Sequence, residues 1–273
     1  MESPGTNFQL SKWFLDFTTD DRIAMIFYAA EMRWHGFSAR YTSWLDHSPD
    51  KGTRCKSRFT SVQFPVINGN LITWSDPKFD VSGTWFAREK PISARLFNSD
   101  SGFLDWICYQ PKSDVSLTVG NELLKGSGYT EQLIMTTLPW RIPMDELRWG
   151  RYVSDQNSLV WIELRQRQRQ QWLWLNGEKI EKSIIEDDRI EIPEQEFLLN
   201  LDRSTILESE KKISAVTGKL VRYFPGFNRI MPVKFLMADE TKWLSHGTLQ
   251  VKEQNQDTGK VIHELVNFNP PAQ

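Results

Sequence analysis

The chain is poor in the residues that build metal centres and disulfide frameworks. It has two cysteines, Cys55 and Cys108, in no CxxC or zinc-ligand spacing, so no disulfide scaffold or zinc site is expected. Its four histidines, at 35, 47, 246 and 263, have no metal-ligand spacing, and no serine or cysteine carries a nucleophile motif. Long apolar runs are also missing. The most apolar stretch, Ile23 to Ala30, is far too short to span a bilayer. The first residues, Met1-Glu-Ser-Pro-Gly-Thr, are polar and acidic and show no secretory signal. A formal net charge of −2 gives no pull toward nucleic acid or anionic membrane. The expectation is a cytoplasmic chain with no nucleic-acid partner and no membrane span, its oligomeric state left open. Gly126-Ser-Gly128 has no third glycine and runs into an extended segment, which excludes a dinucleotide or phosphate loop.

Aromatics are plentiful. Twelve tryptophans and sixteen phenylalanines suit packing across sheets, and equally the walls of a cavity for a lipid-like ligand. With 273 residues the chain has room for one large domain or two ordinary ones. Sustained helical periodicity is scarce. Short extended segments with turns every eight to twelve residues predict an all-β barrel or sandwich.

Strands are predicted over 12–17, 23–35, 37–45, 62–66, 71–74, 83–88, 92–97 and 103–109. Residues 1–10 read as a loose arm, 46–61 as a loop and Pro111 to Asp114 as a break. Asn68-Gly-Asn70 and Asn176-Gly177 read as hairpin turns, because Asn and Gly tolerate positive φ. In the second half, strands are expected over 152–164, 171–180, 197–206, 213–224, 233–237 and 243–251. Asp257-Thr-Gly259 reads as a turn and Asp202 to Lys211 as a short helix. Lys12-Trp13, Thr18, Ile23 and Ile26 can be laid over Arg148-Trp149, Ser154, Leu159 and Ile162 at an offset of 136 residues. That offset, about half the chain, predicts two similar barrel-like units, 1–139 and 140–273, meeting near 138–147.

The segment between the halves carries Tyr129, Glu131, Trp140, Glu146, Arg148, Trp149 and Arg151. Glu131 is the leading candidate acid, since a carboxyl beside aromatic walls can hold its proton; a strand glutamate paired with an arginine is the plain alternative. Trp140 and Trp149 would line a cavity or simply pack. Arg148 and Arg151 would anchor a polar ligand end, or pair with Glu146. Glu31, Arg33 and His35 share one strand face, and Trp34 stands on the other. Asp105, Trp106 and Tyr109 form a comparable group.

At Leu104-Asp-Trp-Ile-Cys-Tyr-Gln-Pro111, Val115 and Gly126-x-Gly-Tyr-x-Glu131, the chain resembles a lipocalin-like family. That family includes hydroxyneurosporene synthase (carotenoid 1,2-hydratase) and the AttH-type proteins, with tocopherol cyclases and certain fungal Diels-Alderases more distant. Here Thr130-Glu131 follows Gly-Tyr, where the hydratases carry an acidic stretch with a histidine. The resemblance implies an all-β chain of two consecutive lipocalin-like (calycin) barrels. It also implies an enzyme without cofactor or metal, working on an apolar unsaturated small molecule by hydration, cyclisation or pericyclic closure in a cavity at or near the joint. Glu131 and Tyr129 would be catalytic. Trp140, Trp149, Arg148, Arg151, Glu31, Trp34 and Asp105 would bind substrate. The alternatives are a carrier for a hydrophobic ligand, or a scaffold whose barrels are filled.

Overall fold

The computed structural model describes residues 8–59, 61–210, 232, 235, 238–251 and 255–269. Two compact units divide between Ile142 and Pro143. Unit 1 holds β1 (Phe8–Thr18), β2 (Ala24–Trp34), β3 (Phe37–Ser48), β4 (Gly52–Arg58), β5 (Val66–Asn68), β6 (Leu71–Asp76), β7 (Val81–Ala87), β8 (Ile92–Ser99), β9 (Gly102–Val119) and β10 (Glu122–Met135), then a 3₁₀ turn, Pro139–Arg141. Unit 2 holds β11 (Glu146–Val153), β12 (Ser158–Arg165), β13 (Arg169–Leu175), β14 (Glu178–Ile180), β15 (Ile184–Ile185), β16 (Arg189–Ile192), β17 (Phe197–Leu201), β18 (Thr205–Glu210), β19 (Asp239–Val251) and β20 (Asn255–Asn267). Among the described residues no helix is long and apolar enough to cross a membrane.

Each unit is one curled antiparallel sheet with the same strand order. In unit 1 it runs β4-β3-β2-β1-β10-β9-β7-β6-β5, with β8 on β9; in unit 2 it runs β14-β13-β12-β11-β20-β19-β17-β16-β15, with β18 on β19. First and last strands pair centrally in both, as in lipocalin-like barrels. The half-length repeat is therefore real, but an offset of 136 residues misplaces side chains. Trp13 lies in the interior cluster of unit 1 with Leu15 and Phe17, whereas Trp149 stands on the face opposite Tyr152, which lies in the interior cluster of unit 2. A one-residue slip reverses every side chain, so an even offset here joins an inward tryptophan to an outward one.

Side chains fill both interiors. In unit 1, Phe27 packs on Trp74 at 5.0 Å between ring centroids, and Trp13 stacks on Tyr109 at 5.1 Å. Trp85 is wholly buried, and its indole donates to the Asp16 carbonyl at 2.8 Å. Gly128 makes room for it: a Cβ there would lie 2.4 Å from the Asp16 oxygen and 3.0 Å from the Trp85 nitrogen. The Gly-x-Gly of the sequence is thus a packing device.

Several expectations change. Asn68 faces Leu71 across the Gly69-Asn70 turn and Leu175 faces Glu178 across Asn176-Gly177, as the turn chemistry predicts. Residues 46–61, expected as a loop, contain the end of β3 and all of β4. This edge strand is exposed along most of its length, so it shows no apolar alternation, and its Arg54, Lys56 and Arg58 suit an unpaired edge. The strand expected over 62–66 begins only at Val66. Pro111 does not end β9; it sits where the β9–β10 register shifts, a bulge that accommodates a missing N–H. Residues 205–210 form β18 rather than a helix, because they pair with β19. Asp257 to Gly259 lie inside β20. Gly259 is needed for close approach, since a Cβ would meet the Val153 carbonyl at 2.4 Å. His35 leaves the face of Glu31 because β2 ends at Trp34 and His35 turns with φ 47°. The arm begins pairing at Phe8. Its first seven residues and the strands expected over 213–224 and 233–237 fall outside the described residues, Phe235 excepted.

Candidate active site

Tyr129 and Glu131 stand two residues apart on β10, so they share one face. Across β1 they oppose Asp16 and Phe14, and Glu131 also opposes Cys108 of β9. This is the outer face of the sheet, since the interior residues Leu15 and Phe17 alternate with Phe14 and Asp16. The Tyr129 hydroxyl donates to Glu131 Oε2 at 2.6 Å. The Trp106 indole N–H donates to the same oxygen. Two donors from two strands converge on one carboxylate oxygen, and so fix its position and direction.

Aromatic rings surround the pair. Phe14 meets Tyr129 edge-on at 6.0 Å and Tyr28 at 5.4 Å. The Lys12 ammonium lies 4.8 Å over the Tyr28 ring. Tyr129, Cys108 and Trp106 are buried, and Glu131 and Tyr28 are half-buried. Burial pushes the Tyr129 phenol well above its ordinary pKa, and neighbouring Cys108 and Glu131 add to this. Burial, then the charge of Glu131, likewise pushes the Cys108 thiol up, which keeps it unreactive. The cluster therefore offers a neutral phenol, an indole N–H and an oriented carboxylate beside an apolar wall. Such a group can hold a polar atom of an otherwise apolar molecule, or move one proton.

The other residues singled out in the sequence are dispersed. Glu31 pairs with Arg33 and Arg40, each at 2.8 Å, and with Trp34 it borders an open groove of about 560 Å³ at the β2–β3 turn. Burial opposes ionisation of Glu31, but the two arginines outweigh it and lower its pKa. Asp105 makes a two-pronged pair with Arg95 at 2.7 and 2.8 Å, half-exposed on the surface. Trp140 lies half-buried in the 3₁₀ turn. Trp149 and Arg151 share the outward face of β11; both are buried, and Arg151 reaches the Lys260 carbonyl at 3.5 Å. Arg148 faces the interior of unit 2 and bonds Glu146 at 2.5 Å.

Sequence reasoning gave Trp106 no role at the site and overlooked Phe14 and Tyr28, which reach Glu131 and Tyr129 only through strand pairing. It also overlooked the Trp243–His263 stack at 4.9 Å in unit 2. Among the described residues no group of three or more His, Cys, Asp or Glu is arranged to hold a metal ion.

No family model matches the sequence, and no curated protein matches it in sequence. Solved structures match it in shape. CghA, solved with Sch210972, superposes at a TM-score of 0.55 with 10% identity, over 95% of this chain and 88% of that one. A Nitrosomonas europaea protein assigned as an AttH gives 0.55 with 9% identity, over 97% and 93%. Kievitone hydratase from Nectria haematococca gives 0.53 with 11% identity, over 96% and 89%. The second belongs to the type named by the sequence resemblance. Across nearly its whole length, the chain has the two-barrel lipocalin-like fold of these proteins.

Proposed function

We propose that the chain is a cofactor-free enzyme acting on an apolar, unsaturated small molecule of terpenoid, polyene or polyketide type. The observation that carries this is the convergence of Tyr129 and Trp106 on one oxygen of Glu131, beside the Phe14–Tyr28 wall. Neighbours of the same fold support it: one is named a hydratase, and another was solved with a small molecule. In this reading Glu131 takes or returns the proton. Tyr129 stays neutral and orients a polar atom of the substrate, and Trp106 keeps the carboxylate in place. Hydration would need that proton transfer. Cyclisation or pericyclic closure would need chiefly the folding of the substrate against the aromatic wall.

The test is mass spectrometry of polyene, terpenoid and polyketide extracts after incubation with wild-type protein and with Glu131→Gln. A wild-type product heavier by one water indicates hydration; one of unchanged mass and altered retention indicates cyclisation or isomerisation. A hydration product should be absent or strongly reduced with the variant, whereas a product of pericyclic closure should persist. The filled interior of each barrel is what the scaffold alternative predicts. The carrier alternative rests on a carboxylate that can simply join strands. It predicts that both proteins retain the same unaltered ligand.

A further inference from the structure

Beside the apolar cluster of unit 2, whose Trp161 and Leu201 also line it, a small hollow opens to solvent. Trp243 and His263 line it as well, and its charged residues are Arg148, Arg203, Glu186, Asp187 and Glu264. We propose that this mouth binds a small planar carboxylate between Arg148 and Arg203, and that the Asp187 side chain holds the carboxylate's seat until the ligand displaces it.

The charges support an exchangeable anion. Arg148 and Arg165 are matched by Glu146 and Glu163 in one network: Arg148 bonds Glu146 at 2.5 Å, Arg165 lies 3.2 Å from Glu146, and Arg165 also bonds Glu163. Glu163 is fully buried and also accepts from Gln171 at 2.7 Å. Asp187 stands outside that balance. It pairs with Arg148 on one side and lies 3.8 Å from Arg203 on the other. Its side chain is 51% exposed, against 10% for Arg148, so the anion is the partner that can leave. The turn that carries it is tied down, Glu186 N to the Arg189 carbonyl at 2.9 Å and Leu201 N to the Asp188 carbonyl at 2.7 Å. Rotation of the Asp187 side chain therefore frees the seat without opening the loop.

Arg203 is held ready. It takes a left-handed conformation, φ 48°, which costs an ordinary residue about 1 kcal/mol or more. Asp202 fixes it by accepting from Ser204 N at 3.1 Å and His246 N at 2.9 Å. The guanidinium then lies 4.3 Å over the Trp243 ring. Beneath, Trp243 stacks on His263, whose Nε2 bonds the Ser245 hydroxyl at 2.9 Å. Two guanidinium groups suit a planar carboxylate. With Asp187 in place the enclosed space is about 20 Å³, room for about one water. The ligand must therefore take the place of the aspartate carboxyl.

Calorimetric titration with benzoate, with benzamide as its uncharged counterpart, tests this. Asp187→Ala should bind benzoate at least about tenfold more tightly than wild type, because the internal competitor is gone, and neither protein should bind benzamide comparably. Arg203→Gln should weaken binding about tenfold. Should that variant fail to fold, the first two comparisons decide alone. Equal benzoate affinity in wild type and Asp187→Ala, no benzoate binding to Asp187→Ala, or equal binding of benzamide would overturn the proposal. Glu131→Gln should leave benzoate binding unchanged, so this site stands or falls independently of the one in unit 1.

Discussion

Tyr129 donates its phenolic proton to Glu131, two residues further along the same strand, at 2.6 Å. The spacing places both on one face of β10, and burial keeps the phenol protonated. Tyr129→Phe removes that donor, together with the hydroxyl's hydrogen bond to Cys108, and keeps the ring. Turnover should fall about 10²–10⁴-fold if the pair moves a proton. Stability should fall by about 1.5–3 kcal/mol, the worth of a hydrogen bond to a charged group. Steady-state kinetics and urea unfolding measure the two separately. A stability loss with unchanged turnover would assign the pair to architecture alone.

In the proposed function Trp106 would act through Glu131, to which its indole donates, rather than on the substrate. Trp106→Phe keeps an aromatic ring and removes the N–H. The expected outcome is a fall in kcat of about tenfold with KM nearly unchanged, together with a moved pH profile, because a misplaced carboxylate costs rate more than binding. A raised KM at constant kcat would instead place Trp106 in the substrate wall.

Glycine positions give a test of packing. A Cβ at Gly150 would lie 2.1 Å from the Trp161 ring, and one at Gly128 would lie 2.4 Å from a backbone oxygen. Gly150→Ala and Gly128→Ala should each destabilise by about 1–3 kcal/mol or more, from forced shifts in a filled interior. Gly69 has open space around it and a φ of +58°, so Gly69→Ala should cost only about 1–2 kcal/mol of left-handed strain. Urea midpoints at fixed m-value check the ranking.

His263 should make stability depend on pH. Burial, and then neighbouring Arg203, lower its pKa from 6.5 to about 3. Above pH 6.5 the imidazole is neutral in both folded and unfolded chains, and its titration contributes nothing. Below 6.5 the unfolded chain takes a proton that the folded one refuses. Stability is then lost as pH falls toward 3, by up to about 1.4 kcal/mol per pH unit. The difference in unfolding free energy between wild type and His263→Gln, followed from pH 7 to 4, should itself change with this slope, the wild type losing more as pH falls.

The sequence disclosed local rules well and register poorly. Asn68-Gly69-Asn70 and Asn176-Gly177 were readable because turn chemistry is written in adjacent residues. The half-length repeat was readable as a rhythm of strands and turns, yet not to one residue, and one residue decides whether Trp149 faces inward. β4 escaped notice because an exposed edge strand has no apolar face. Gly259 suggested a turn, whereas its missing side chain serves close approach to the Val153 carbonyl. In the site, Tyr129 and Glu131 were legible as neighbours on one strand. Trp106 lies 25 residues away and joins them through β9–β10 pairing. Asp187, Arg203 and His263 come from three separate segments, and no spacing in the sequence brings them together.

The central claim is that Tyr129 and Glu131 work as one catalytic unit, and a double-mutant cycle on product formation tests it most directly. Initial rates would be measured for wild type, Tyr129→Phe, Glu131→Gln and the double variant on the substrate found in the extract screen. The account predicts strong non-additivity: each single change is costly, and the double variant is little worse than the worse single one. Multiplying losses, or full activity in both single variants, would contradict it.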